Sequence, residues 1–164
     1  MNYYPLKDLQ ESHYKRSNGN MYSRKLLQTG KNEFRLINDK GDPYYSIKKS
    51  NDYFLSDEFN AGHFQPFLKC EVVIGDCWKA YYSKNELDCL SEFIVKDVAL
   101  QKIVDDQQYM NVVWIQESKF ICLNAGAMPL NFYIHYFFAD DIGLIFQSSS
   151  SGETHTLIRT LNKH

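Results

Sequence analysis

Cysteine is scarce in this 164-residue chain, and its four copies are poorly spaced for chemistry. Cys70, Cys77, Cys89 and Cys122 form no C-x-x-C pair, and their density is far below that of a disulfide scaffold. Structural zinc sites place paired ligands two to four residues apart. The nearest approach here, His63-x6-Cys70-x6-Cys77-x11-Cys89, lacks that spacing, so no metal is expected. Neither G-x-x-x-x-G-K-[ST] nor G-x-G-x-x-G occurs, which removes the glycine loops that cradle phosphates and dinucleotides. No cofactor is therefore expected. Long apolar runs are also missing. The longest, residues 132–139, is interrupted by His135 and is too short to span a bilayer. The first 25 residues lack the apolar centre of a secretory signal, and no N-x-[ST] acceptor occurs. These absences together lead to the expectation of a cytoplasmic protein without a membrane segment.

Catalytic constellations are thin as well. Cys77 follows a Gly75-Asp76 turn and could be exposed, with His63, His135 and His155 as candidate bases, but no thiol-enzyme signature surrounds it. The acidic pairs Asp57-Glu58, Asp105-Asp106 and Asp140-Asp141 sit at element ends. A hydrolase instead needs two carboxylates at a set separation with different pKa values. No catalytic residue is assigned, and no enzyme is expected.

Aromatic residues are abundant, with 12 Tyr, 11 Phe and 2 Trp. Each ring buries a large apolar area, so a core can be built from few of them. The charge is divided along the chain. Residues 1–49 carry 10 Lys/Arg against 5 Asp/Glu, and residues 50–164 carry 8 against 15. A basic front thus precedes an acidic, ring-rich body, a polarity that bears on partners rather than on fold.

One domain is expected over residues 1–164, with residues 1–20 as a flexible or docked arm. Residues 22–27 and 33–38 flank Thr29-Gly30-Lys31-Asn32 and read as a hairpin, followed by strands at 44–48 and 53–55. Residues 68–74 read as a further strand, and 78–82 can pair back on it. Ser83-Lys84-Asn85-Glu86 matches a helix capping box. Leu87, Leu90, Phe93, Ile94, Val98, Ile103 and Val104 then recur at near-helical spacing. One principal helix over about residues 84–106 is expected, with drift near Lys96-Asp97. Strand-length runs at 112–116, 120–124, 131–138, 144–148 and 154–161 complete the chain. In 131–138 the alternation puts Phe132, Ile134, Tyr136 and Phe138 on one face and His135 on the other. The expected class is α+β: a mainly antiparallel twisted sheet or half-barrel with that helix packed on it.

In size and acidic, motif-poor composition the chain resembles the immunity proteins of bacterial contact-dependent and polymorphic toxin systems. That resemblance implies a cytosolic inhibitor that occludes a basic, nuclease-like toxin. Complementary charge would speed the encounter and aromatic anchors would slow release. The expected contact surface comprises Asp76, Trp78, Asp97, Asp105, Asp106, Asp140 and Asp141, with Tyr81 and Tyr82 as anchors. The alternative is a single-stranded nucleic-acid module in which Arg16, Arg24, Lys25 and Arg35 join exposed rings on one face. The acidic body and a pI near 6.2 weigh against nucleic acid.

Overall fold

The computed structural model describes residues 2–41, 43–57 and 63–162, with the side chains of Pro43, Tyr44 and Asp57 outside the description. Glu58 and most of the segment around it therefore lie beyond the described residues. Twelve strands make up the fold, in chain order β1 Glu11–Arg16, β2 Met21–Gly30, β3 Glu33–Ile37, β4 Pro43–Lys49, β5 Tyr53–Asp57 and β6 Gln65–Leu68. β7 Cys77–Lys84, β8 Leu87–Val104, β9 Gln107–Leu123, β10 Gly126–Ala139, β11 Gly143–Ser149 and β12 Thr154–Leu161 follow. All pair antiparallel in one sheet of order β6-β5-β4-β3-β2-β1-β12-β11-β10-β9-β8-β7. The sheet curls into a nearly closed barrel. Its two edge strands, β6 and β7, meet where the Tyr81 N–H donates to the Gln65 side chain at 3.0 Å. Pro66 has no N–H to give, and an edge strand tolerates that.

The expected α+β class is overturned, because no helix occurs among the described residues. The segment expected as a helix is the β7–β8 turn and the long strand β8. Asn85 and Glu86, at φ 50° and 64°, form a two-residue turn between β7 and β8, so the capping-box match marks a hairpin. The apolar set that mimicked helical spacing is divided between the two faces of a strand, with Leu87, Ile94 and Ile103 exposed. Cys89, Ser91, Phe93 and Val95 face the interior in alternation, while Leu90 is buried on the other side. The drift near Lys96-Asp97 is a series of bulges against β9, with Ala99 at φ 56°. Asp105 and Asp106, at φ 49° and 63°, make the next two-residue turn, where Asp is readily accommodated. No helix dipole acts on them.

Two further corrections are local. Residues 69–76 form a loop, and the strand there is Gln65–Leu68. Glu117-Ser118-Lys119, which separates the runs expected at 112–116 and 120–124, lies inside one continuous strand, β9, paired to both neighbours.

Only part of the leading stretch behaves as an arm. β1 is a central strand between β2 and β12, whereas residues 2–10 dock across one end of the barrel. Asn2 N–H donates to the Asp140 carboxylate at 2.5 Å, and Asp141 N–H donates to the Asn2 carbonyl at 2.9 Å. Tyr3 and Pro5 are buried. The Tyr4 ring packs edge-on against Tyr53, Phe67 and Phe138, with centroids 5.8, 5.7 and 6.0 Å away. This segment closes the end that carries the β8–β9 and β10–β11 turns.

Candidate functional site

A cavity of about 320 Å³ lies within the barrel. Strand alternation decides its lining: Ala80 and Tyr82 from β7, Ser91 and Phe93 from β8, Glu117 and Lys119 from β9, and Ile134, Tyr136 and Phe138 from β10 all point inward. Tyr4, Phe67 and Phe138 form an apolar floor, while β2 supplies Arg24 from the opposite wall.

The polar side of the cavity is organised around Glu117, which is 5% exposed. Its carboxylate accepts from Ser91 Oγ at 2.5 Å and from the Tyr136 hydroxyl at 2.7 Å. Lys119 Nζ sits 3.1 Å away and lies 5.6 Å from the Tyr82 ring centroid. Burial alone would lower the Lys119 pKa, but Glu117 and Tyr82 outweigh it, and the ammonium is held above its usual range. Burial, reinforced by Glu117, raises the Tyr136 hydroxyl well above normal. At neutral pH this wall therefore offers the Lys119 ammonium and a neutral Tyr136 hydroxyl donor beside Glu117.

The Arg24 guanidinium lies 5.4 Å from the Tyr14 ring centroid and 5.3 Å from that of Tyr22, and the two rings stack on each other. Arg16 covers the outer part of Tyr22 at 5.0 Å. The Tyr22 hydroxyl and His155 Nδ1 share a 2.6 Å hydrogen bond. Burial leads in lowering the His155 pKa, with Arg24 and Arg16 adding to it and Glu153 opposing.

The interior is thus lined with phenols that burial keeps protonated. Desolvation raises the pKa of Tyr3, Tyr4, Tyr53, Tyr109 and Tyr136, and pushes Tyr14 up to about 12. A phenol with a raised folded-state pKa contributes stability that is complete below its unfolded value and is lost as pH rises through the folded one. For Tyr14 alone the shift corresponds to about 3 kcal/mol. Stability is therefore expected to fall steeply above about pH 10, with the tyrosinate absorbance of these buried phenols appearing only as circular dichroism is lost. Smooth titration of these phenols before any unfolding would contradict their burial.

The expected contact residues divide. Trp78 is buried and stacks on Phe93 at 5.5 Å, and Tyr82 lines the cavity, so neither is a surface anchor. Tyr81 faces outward and is exposed. Asp76, Asp97 and Asp140 serve local structure, accepting from the backbone N–H groups of Val73, Val98 and Asn2. Asp105, Asp106 and Asp141 are exposed at turns. Arg16 and Arg24 do meet rings on one face, but that face is the barrel interior. By alternation, Lys25 and Arg35 point away from it. Cys77 is exposed, and among the described residues no three His, Cys, Asp or Glu side chains gather as a metal site.

Sequence reasoning missed Arg24, Glu117 and Lys119 as interior groups. Glu117 and Lys119 stand two apart in a strand-like segment, the spacing of residues on one face, and this was the available signal.

No family model and no curated protein matches this chain. Solved structures match it in fold. One is a Bacteroides fragilis protein described as exported and as having a YmcC-like fold, with TM-score 0.56 and 9% identity over 97% of this chain and 98% of that one. Another is a Parabacteroides distasonis protein described as a lipoprotein, with TM-score 0.52 and 12% identity over 97% of this chain and 98% of that one. At such identity the likeness is one of fold alone. The fold is shared with proteins described as exported or as lipoproteins, and this overturns the expected cytoplasmic placement; the resemblance to immunity proteins gains no support from these comparisons.

Proposed function

We propose that this barrel is a binding protein of the cell envelope that holds a small amphipathic molecule in its interior. The observation carrying this reading is the cavity of about 320 Å³, with an apolar floor and a hydrogen-bonded polar wall, inside a barrel otherwise packed with aromatic and aliphatic side chains. Pockets of this size, mostly apolar with a few convergent polar groups, suit small organic ligands. The fold neighbours' descriptions support the envelope placement. The rim fits an apolar cargo too. No charged residue occurs between Lys119 and Asp140, and Leu123, Met128 and Leu130 are exposed on the β9–β10 hairpin that continues the cavity wall.

Ala80 gives a direct test, because its methyl group lines the cavity. In calorimetric titration with decanol, the protein is expected to bind one molecule per chain. Ala80→Phe, confirmed folded by its melting transition, is expected to lose that binding at least tenfold as the ring fills the space (about 1.4 kcal/mol). Equal binding by both proteins would place the alcohol on the outer surface and end this reading.

A second reading keeps a basic protein partner, a toxin included. Asp76, Asp105, Asp106, Asp140 and Asp141 lie in loops and turns at one end of the barrel, as the up-and-down topology dictates. Asp105→Lys with Asp106→Lys is expected to slow association with such a partner by about tenfold at low salt, measured by stopped flow. An unchanged rate would clear that end of a role in steering.

A further inference from the structure

We propose that a second, smaller pocket, at the end closed by residues 2–10, seats one O–H group of about the size of a water, which donates to Gln10 Oε1. Gln10 stands just before β1, and alternation turns it inward with Ser12 and Tyr14. The chain reaches it through Leu9 at φ 60°. Its backbone is held on both sides: Gln10 N–H donates to the Lys7 carbonyl at 3.2 Å, and the Gln10 carbonyl accepts from Leu26 N–H at 2.9 Å. Gln10 is 6% exposed, and among the described residues its Oε1 has no hydrogen-bond partner. Leaving an amide oxygen so in a dry interior is costly, and buried polar groups are nearly always met by protein or by ordered water.

The pocket that Gln10 lines has the matching size and chemistry. Its volume is about 40 Å³. A water takes about 30 Å³ in the liquid, whereas sites for organic ligands start at roughly 300 Å³. Pro5, Leu26 and Gly143 on its walls are buried, and Ser12, Tyr14 and Arg24 border it as well. Tyr14 commits its own proton to the Leu144 carbonyl at 3.2 Å, which leaves its oxygen as an acceptor. An O–H group suits such a place because it gives and accepts at once. Two sources offer that group. One is a water molecule. The other is the hydroxyl end of a guest, since Tyr4, Leu36 and Leu144 wall both this pocket and the larger cavity. Only the second source rests on the cavity-binding reading above.

The test uses the intact protein. In a high-resolution crystal structure without guest, an ordered oxygen is expected about 2.5–3.0 Å from Gln10 Oε1. In solution, oxygen-17 relaxation dispersion is expected to count more long-lived water in the parent than in Gln10→Leu, which keeps the bulk and removes the acceptor. A second crystal structure, with decanol, separates the sources. The same oxygen unmoved, with decanol bound equally by the parent and Gln10→Leu, assigns water. The alcohol oxygen in its place, with decanol bound about fivefold more weakly by Gln10→Leu, assigns the headgroup, in keeping with one neutral hydrogen bond. Decanol failing to bind while the oxygen stays beside Gln10 would remove the cavity reading and support water. No oxygen beside Gln10 in either crystal would overturn the proposal, as would equal counts of long-lived water in the parent and a folded Gln10→Leu. If Gln10→Leu does not fold, the two crystal structures of the parent decide alone.

Discussion

Tyr4→Ala is expected to destabilise the protein by about 3 kcal/mol, since deleting a well-packed aromatic ring costs roughly 3–5 kcal/mol and Tyr4 retains some access to the cavity. Its ring contacts three others, Tyr53, Phe67 and Phe138, each on a different strand. No neighbouring side chain can move into its place without leaving another gap. Because the ring forms part of the cavity floor, its loss also deepens the cavity toward the end closed by residues 2–10. A fall in the denaturant midpoint should therefore accompany a gain in affinity for dodecanol over decanol. Loss of stability with no change in chain-length preference would mean that Tyr4 is packing alone and not a floor.

Lys119→Met is the second large effect, and its consequence falls on Glu117. The carboxylate is almost fully buried, and removing its counter-charge strands an anion inside the barrel, at a cost of about 3–5 kcal/mol for a fully enclosed pair. The Lys119 side chain is 27% exposed, so the lower end of that range applies. Without the ammonium, the buried carboxylate keeps the Ser91 and Tyr136 hydroxyls as its described partners. Adding Glu117→Gln to Lys119→Met should restore part of the loss, because the amide can still accept from Ser91 and Tyr136 without a charge to bury. Equal stability of the parent and the single variant across pH would show that water, and not Lys119, satisfies the carboxylate.

How much of this was legible can be judged from particular segments. The 22–27 and 33–38 hairpin and the alternation of Ile134, Tyr136 and Phe138 were readable because period-2 patterning survives wherever one face meets the core. Residues 87–104 were misread for a physical reason. Leu87, Ile94 and Ile103 are apolar yet exposed, which blurs the strand's alternation, and bulges shift what remains, so the apolar positions drift toward helical spacing. The turn signals were ambiguous too. Asn85-Glu86 and Asp105-Asp106 lack glycine; Asn85, Asp105 and Asp106 tolerate the left-handed conformation, and Glu86 adopts it without that tolerance. The candidate site was harder still. Arg24, Glu117 and Lys119 come together only on closure of a twelve-strand sheet, and no local pattern encodes which charged side chains end up inside it.

The claim on which the functional account stands is that the interior space admits a guest. It is tested most directly by nuclear magnetic resonance of the isotopically labelled protein titrated with decanol. The account predicts saturable shifts, at one molecule per chain, concentrated at Ala80, Ser91, Phe93, Glu117 and Phe138. Shifts confined to Leu123, Met128 and Leu130 on the exposed hairpin, with the inward-facing positions unmoved at saturation, would contradict it.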